Sequence, residues 1–360
     1  MLKEDLIMAR FHPERIRQLA AKIFESTGVP AAEALILADS LVEADLQGTS
    51  THGVSRVGIY SRRLRQGLID PKAEITIEKK RPAALTINAN NGLGQVQAYK
   101  TLQLLIPLAR ESGCAAAAIH NSNHCGALSY FTNKAAADDM ALLAMTNVES
   151  AMPPAGGRSP FFGTNPLAIS FPTGQGYPVK IDLSTSVVAR GNIIAAQRQG
   201  QAIPLGWALD PEGNPTTDPD KAMAGTVLTM AGHKGYALAL MIEVLAGVLS
   251  GSDIGPGVGS LYKDFSRTQN IGHFFCLFNI AAFMDIVLFK ERLNGLLDHI
   301  KGCERLPGVA EILVPGERSI RKTQENRRLG IPIGAETISE FKALCGEFGI
   351  PFSLEDLQMG

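Results

Sequence analysis

The chain has 360 residues, 45% of them hydrophobic and 19% charged, with a formal net charge of −1. That is enough apolar material for a large core in two or more lobes, and it leaves no basic field to gather nucleic acid or an acidic membrane. The five scattered cysteines, Cys114, Cys125, Cys276, Cys303 and Cys345, have no paired metal spacing, and their odd number argues against a disulfide framework.

The stretch Met1 to Arg15 mixes Lys3, Glu4, Asp5, Arg10, Glu14 and Arg15 and lacks the apolar centre of a signal peptide. The most apolar run, Phe274 to Phe289, is interrupted by Asn279 and Asp285 and is short for a bilayer span. A soluble, cytoplasmic protein is expected.

Residues 12 to 45 read as two helices. Pro13 suits a first helical turn, Ala20, Ala21, Ile23 and Phe24 form a stripe, and Gly28-Val29-Pro30 ends it. A second helix from Ala31 to Asp45 leads into the His52 segment, and Val57 to Gly67 reads as a short basic helix with Tyr60 and Leu64 on one face. Ala83 to Asn88 is expected as a strand, Gln97 to Ser112 as a helix, and Ala115 to Ile119 as a buried strand ending at His120. Tyr130 to Asp139 reads as helix, with strands at Ala141 to Thr146, around Ile169, and from Val179 to Leu183. Pro204 to Pro219 reads as loop, and Gly235 to Ser250 as an apolar helix. Periodicity leaves Phe274 to Ile280 and Ile286 to Phe289 open between strand and buried helix. A basic helix to Arg328 and a last helix near Ile338 to Phe348 follow. Strands and helices mixed throughout place the chain in the α/β or α+β class.

Two histidine segments stand out. Gly48-Thr49-Ser50-Thr51-His52-Gly53-Val54-Ser55-Arg56 sets His52 among hydrogen-bonding and turn-forming residues. Imidazole exchanges protons near neutral pH, Thr51 offers a hydroxyl to orient it, Gly53 lets backbone approach a ligand, and Arg56 is a fork for a carboxylate. A lone loop histidine is more often inert, but these neighbours favour a functional one. In His120-Asn121-Ser122-Asn123-His124-Cys125-Gly126-Ala127, the spacing of His120 and His124 could hold a metal on a helix. The glutamate of a zinc protease motif is missing, however, and the asparagines disfavour a helix interior. A strand-to-helix turn fits better, with backbone N–H groups facing an anion and His124 at its tip.

Gly92-Leu93-Gly94-Gln95-Val96-Gln97 begins like a dinucleotide fingerprint but lacks the third glycine, so a Rossmann site is not supported. Other glycine-rich candidates are Pro153-Pro154-Ala155-Gly156-Gly157, Gly163-Thr164-Asn165-Pro166 and Ala231-Gly232-His233-Lys234-Gly235. Lys234 at a helix start opposes the macrodipole unless an anion neutralises it; the plain alternative is a solvated lysine. Asp182-Leu183-Ser184-Thr185-Ser186 is either a strand-end turn with a cap or a grip for a ribose or a histidine.

In order along residues 12 to 330, Thr51-His52-Gly53 with Arg56 and Tyr60, Asn123-His124-Cys125-Gly126-Ala127, Gly163-Thr164-Asn165-Pro166, Pro215-Thr216-Thr217-Asp218-Pro219 and His233-Lys234-Gly235 closely resemble the malate/L-lactate dehydrogenase family of non-Rossmann type. That family includes ureidoglycolate and sulfolactate dehydrogenases, diketogulonate reductase and piperideine-2-carboxylate reductase. The resemblance implies hydride transfer between a 2-hydroxy acid and its 2-oxo acid with NAD or NADP, NAD favoured, by a homodimer. It also implies a non-Rossmann cofactor domain with a mixed sheet over residues 79–300 and a helical substrate domain made from residues 1–78 and 301–360. By position, Thr51 and His52 match an orienter and proton donor, and His124 matches the proton acceptor of the ureidoglycolate enzyme. Arg56, Tyr60, Thr164 and Arg190 match substrate-holding positions. His120, Asn123, Cys125, Gly126, Asp182, Leu183, Ser184, His233, Lys234, Gly316, Glu317 and Arg318 match cofactor contacts, and no metal is implied.

Two positions depart from the family pattern. Thr51 replaces the commoner serine, and Asn192 stands where imine-reducing members carry an aspartate. Within the family, ureidoglycolate oxidation is the nearest rival, because Ala127-Leu128-Ser129-Tyr130-Phe131 looks like that enzyme's local sequence, and sulfolactate is the other alternative. A metal-dependent hydrolase built on His120 and His124, or an inert binding protein, would be a different class.

Overall fold

Apolar residues at helical spacing near both chain ends meet in one core. The computed structural model describes residues 9–359, so most of the Met1 to Arg15 stretch lies outside the described residues. Strand β1 (Arg10–Phe11) leads into α1 (Pro13–Ser26), where Pro13 takes a first-turn position that loses no hydrogen bond. Its inner face, Ile16, Leu19, Ala20, Ile23 and Phe24, packs with Leu37, Leu41 and Val42 of α2 (Ala31–Leu46) and with Tyr60 and Leu64 of α3 (Val57–Arg65). Phe341, Leu344 and Cys345 join the same core from the far end of the chain, as do Leu93, Val96 and Leu261 from its middle.

A second core lies on a seven-stranded mixed sheet. Its order is β2 (Thr76–Arg81), β3 (Ala84–Asn88), β4 (Cys114–Ser122), β11 (Ile271–Asn279), β5 (Met140–Thr146), β6 (Leu167–Phe171) and β7 (Val179–Leu183). Only β3 and β4 are parallel, and α4 (Gly94–Ser112) makes the crossover such a pair requires. The alanines of β4 leave room for this helix, so Ala115, Ala117 and Ile119 meet Ala98, Leu102, Leu105 and Ala109. Helix α5 (Ser129–Ala137) follows β4 and packs Phe131 into the same core.

Smaller elements complete the chain. Helix α6 (Arg190–Gln199) precedes a three-stranded sheet of β8 (Ala208–Leu209), β9 (Pro215–Thr216) and β10 (Thr226–Val227), with α7 (Pro219–Ala224) inserted. Helix α8 (His233–Ile242) runs on into a π-helical segment, Glu243–Val248, and α9 (Ile286–Lys301) follows β11. Helix α10 (Glu317–Leu329) packs on the end of α2, where the Asn326 side chain donates to the Asp45 and Leu46 carbonyls at 3.2 and 3.0 Å. Strand β12 (Ile331–Pro332) pairs with β1, before α11 (Ala335–Phe348) and α12 (Leu354–Leu357).

Several expectations change. Strand β4 does not stop at Ile119: pairing of Asn88 with His120 and of Ile271 with Ser122 carries it to Ser122. Phe274–Ile280 lies largely in β11. The run Ile286 to Phe289 instead opens α9, capped by Asp285, with Val287 and Leu288 61% and 46% exposed. The loop over Pro204 to Pro219 contains β8 and β9, while β2, α6, α7 and α12 carried no recognised signal. No helix among the described residues is long and apolar enough to cross a membrane.

Candidate active site

The His52 segment is shaped from beneath by Asp45. After α2 the chain turns at Gly48 (φ 78°) and forms two short 3-10 turns, Ser50–His52 and Val54–Arg56. The buried Asp45 carboxylate accepts from the Val54 N–H at 2.7 Å, and a Cβ on Gly53 would lie 2.0 Å from its Oδ1. Gly53 therefore makes room for the Asp45 carboxylate. Burial raises the Asp45 pKa to about 7.

Above this base, Thr51 Oγ1 lies 3.1 Å from His52 Nδ1. Arg56 donates from Nε to the Thr51 carbonyl at 2.6 Å, and its guanidinium sits over the Tyr262 ring, 5.0 Å from the centroid. Its two terminal nitrogens have no hydrogen-bond partner among the described residues. Tyr262 is held there by its loop: the buried Arg63 side chain donates to the Ser260, Leu261, Asp264 and Arg267 carbonyls.

The turn after β4 brings His124 to the same place. The His52 and His124 rings stack with centroids 5.6 Å apart and 21° between planes. His124 Nδ1 is 2.6 Å from Tyr60 Oη and 3.3 Å from the Gly126 N–H, and its backbone N–H donates to Gln269 Oε1 at 3.1 Å. Tyr60 is buried, and its hydroxyl also accepts from Gln95 Nε2 at 3.0 Å. Burial and then the Arg56 charge lower the His52 pKa to about 4, with Asp182 opposing. His124 is pushed well below its ordinary value by burial, then by His52, Arg56 and His273. Both rings are neutral at pH 7, the state that accepts a proton from an alcohol.

The other expected residues fall into distinct places. Arg190 begins α6, and its neighbour Gly191 lies against Thr51: a Cβ there would be 2.7 Å from Thr51 Cγ2. Arg190 faces Glu149 at 3.6 Å across a 370 Å³ cavity that Lys263 and Arg267 also line. Asp182 is exposed at the end of β7, and its Oδ2 accepts from the Ser129 N–H at the start of α5. Ser184 and Ser186 share a 2.8 Å hydrogen bond, and Leu183 is exposed. The Thr164 carbonyl accepts from Thr185 N at 2.9 Å, and the Thr185 carbonyl accepts from Met230 N. That pairing sets the exposed His233 and Lys234, on the first turn of α8, beside the 184–186 strip. Lys180 N donates to the Pro315 carbonyl at 3.2 Å, which lays Gly316 against β7.

Some side chains are otherwise engaged. Asn123 is buried and spends its amide on Asn91 and Gly92, and Cys125 is in the core with its thiol pushed up to about 12. His120 hydrogen-bonds Glu78 at 3.0 Å. Glu317 is bound by Lys301, Arg321 and the Val314 N–H, while Arg318 is exposed. Among the described residues no group of three or more His, Cys, Asp or Glu side chains could hold a metal. Gln95, Tyr262 and Gln269 went unrecognised in the sequence, since each reaches the site from a distant segment with no local signal.

Comparison with known proteins identifies the family. Residues 11–342 match the family model for malate/L-lactate dehydrogenase. The chain is 38% identical over 338 residues to the malate/(S)-sulfolactate dehydrogenase of Methanothermus fervidus, covering 94% of this chain and 98% of that one. It is 33% identical over 321 residues to the ureidoglycolate dehydrogenase (NAD(+)) of Escherichia coli O157:H7, covering 89% and 91%. Its fold is similar to the solved sulfolactate dehydrogenase of Methanocaldococcus jannaschii, with a TM-score of 0.90, 38% identity, and 97% and 99% of the two chains covered. Similarity along nearly the whole length, together with the family match, means that the chain belongs to the malate/L-lactate dehydrogenase family and is an NAD(P)-dependent hydroxy-acid dehydrogenase.

Proposed function

We propose that the substrate is a small 2-hydroxy acid with a second acidic group, of the malate or sulfolactate kind, interconverted with its 2-oxo acid by histidine acid–base catalysis. The observation that carries this reading is the stacked pair His52 and His124, each bonded at Nδ1 to a hydroxyl, beside an arginine whose terminal nitrogens are uncommitted. Arg56 holds the carboxylate next to the carbinol in a bidentate grip. In the adjoining cavity Arg190 and Arg267 are paired with Glu149 and Asp264, and Lys263 leaves a net positive charge for a distal carboxylate or sulfonate. The relative named for malate and sulfolactate is more similar to this chain than the one named for ureidoglycolate, which favours the compact diacid.

The residues fit a nicotinamide dinucleotide. Exposed Asp182 and half-buried Ser184 present oxygens suited to ribose hydroxyls, and the Lys234 side chain with the His233 and Lys234 N–H groups at the α8 start suits a pyrophosphate. A bound nicotinamide accepts or returns the hydride. Thr51 orients His52, the two histidines hold the hydroxyl while one of them takes its proton, and Arg56 fixes the substrate carboxylate. NAD as cofactor, a homodimer, a cytoplasmic setting, and cofactor-side residues 79–300 opposite a helical lobe from both chain ends complete the proposal.

The test is a panel of oxaloacetate, 3-sulfopyruvate, pyruvate and oxalurate with NADH and NADPH, repeated on His52→Ala and His124→Ala. The diacids should give the highest kcat/KM. Each alanine variant should lose turnover by about 10²- to 10⁴-fold while nicotinamide fluorescence reports nearly unchanged cofactor binding. Wild-type turnover in either variant removes that histidine from proton transfer, and a preference for pyruvate or oxalurate rejects the diacid assignment.

A further inference from the structure

Resting on that dehydrogenase reading of the same site, we infer that Gln95 is a positioning residue which, through Tyr60, locks His124 in the tautomer protonated at Nε2, so that the transferred proton passes to His52. Gln95 belongs to Gly92-Leu93-Gly94-Gln95, the segment that begins like a dinucleotide fingerprint. The structure gives its glycine another purpose. A Cβ on Gly94 would lie 2.1 Å from the Asn123 carbonyl, so the start of α4 abuts the backbone that presents His124. That close approach puts the fully buried Gln95 amide under Tyr60.

The hydrogen-bond directions form a chain. Gln95 Nε2 donates to Tyr60 Oη, which turns the phenolic hydrogen toward His124 Nδ1 at 2.6 Å. Gly126, with φ 74°, directs its backbone N–H at the same nitrogen from 3.3 Å. A backbone N–H can only donate, so this longer contact favours the same arrangement as the Gln95–Tyr60 donation: Nδ1 accepts, and the neutral ring carries its hydrogen on Nε2. Gln95 Oε1 is buried with no partner among the described residues. A packing role alone would be better met by an apolar side chain, which leaves the donated hydrogen bond as the reason for an amide here.

The two histidines then have different tasks. His124 offers Nε2–H to the substrate oxygen and has no free lone pair to take a proton. His52 can give its Nδ1–H to the Thr51 hydroxyl, leaving its Nε2 lone pair open. In alcohol oxidation the O–H bond breaks, the proton bonds to His52 Nε2, the carbinol C–H passes as hydride to the nicotinamide, and the C=O forms.

Histidine-selective ¹⁵N labelling tests this directly, with His124→Asn to assign the ring signals. Wild-type His124 should show an unprotonated Nδ1 and a protonated Nε2. Gln95→Glu places an acceptor under Tyr60. It should reverse the chain toward Nδ1–H and lower kcat on the order of 10²-fold with cofactor KM little changed. Gln95→Met should weaken the lock and fall between the two. An Nδ1–H signal in the wild type overturns the inference, as does an unaltered His124 tautomer in both folded variants. Should neither variant fold, Tyr60→Phe serves instead, and its Nδ1 signal must move for the relay to stand. The tautomer is read without turnover. An Nε2–H ring together with wild-type activity in His124→Ala would therefore reject the catalytic reading and leave the lock intact.

Discussion

Acid should destabilise this protein through His273, by an amount that follows from its surroundings. The ring is fully buried between β4 and β5, with Nδ1 2.8 Å from Thr146 Oγ1 and Nε2 2.9 Å from Ser122 Oγ. Thr146 donates its hydroxyl hydrogen to the Gly272 or Asn147 carbonyl, at 3.0 and 2.9 Å, so it accepts from Nδ1–H and the neutral ring is satisfied. Protonation would force Ser122 to accept as well, and its hydrogen has only the Asn123 carbonyl at 3.5 Å. Burial accordingly lowers the His273 pKa to about 3, against 6.5 for the free side chain. A lowered histidine pKa means that the unfolded chain binds the extra proton first. Stability is then complete above pH 6.5 and declines as pH falls toward 3. At 1.36 kcal/mol per pKa unit, this one residue costs about 2 kcal/mol between pH 7 and pH 5.

His52 and His124 act in the same direction, whereas Asp45, raised to about 7, is stabilised by acid. The His273 share is therefore isolated by difference. Urea midpoints at pH 7 and pH 5 should fall by about 2 kcal/mol more in the wild type than in His273→Gln, at a common m-value. Equal pH dependence in the two proteins would refute the reasoning. If the variant does not fold, NMR titration of the wild-type ring serves, and protonation near pH 6 would be equally decisive.

Two further outcomes test the site. Gly191→Ala places a methyl 2.7 Å from Thr51 Cγ2, so it should displace Thr51 and His52, costing about 1–3 kcal/mol in stability and roughly tenfold or more in kcat. Unchanged kcat would mean that α6 does not buttress the catalytic pair. For hydroxy-acid oxidation, kcat/KM should stay level on acidification from pH 8 to about pH 5 and fall to half near pH 4, because His52 is neutral and able to accept a proton only above its lowered pKa. An acid limb at pH 6.5, in protein whose near-UV circular dichroism is unchanged, would contradict that assignment.

Much of the local structure follows from the order of residue types. Pro13, the apolar stripe of α1 and the alanines of β4 act over a few residues, and the elements they specify form where they were expected. The histidine segments were legible for the same reason: His52 is flanked by its own hydroxyl and guanidinium. Failures came where neighbours in space decide. Strand β4 outlasts its apolar run because β3 and β11 supply partners to Ser122, and Ile286 to Phe289 becomes an exposed helix because Asp285 caps it. The tasks of the two histidines belong to this second kind.

By itself, then, the sequence determined the class and the family and singled out the two histidine segments, since chemistry and periodicity are written into adjacent residues. Only the tertiary structure decided that Gly53 yields to Asp45, that Gly94 yields to the His124 turn, and that Gln95 and Tyr60 converge on one imidazole nitrogen. The physical reason is that a tautomer is set by donors within about 3 Å, and those donors come from residues 60, 95 and 126, which folding alone brings together.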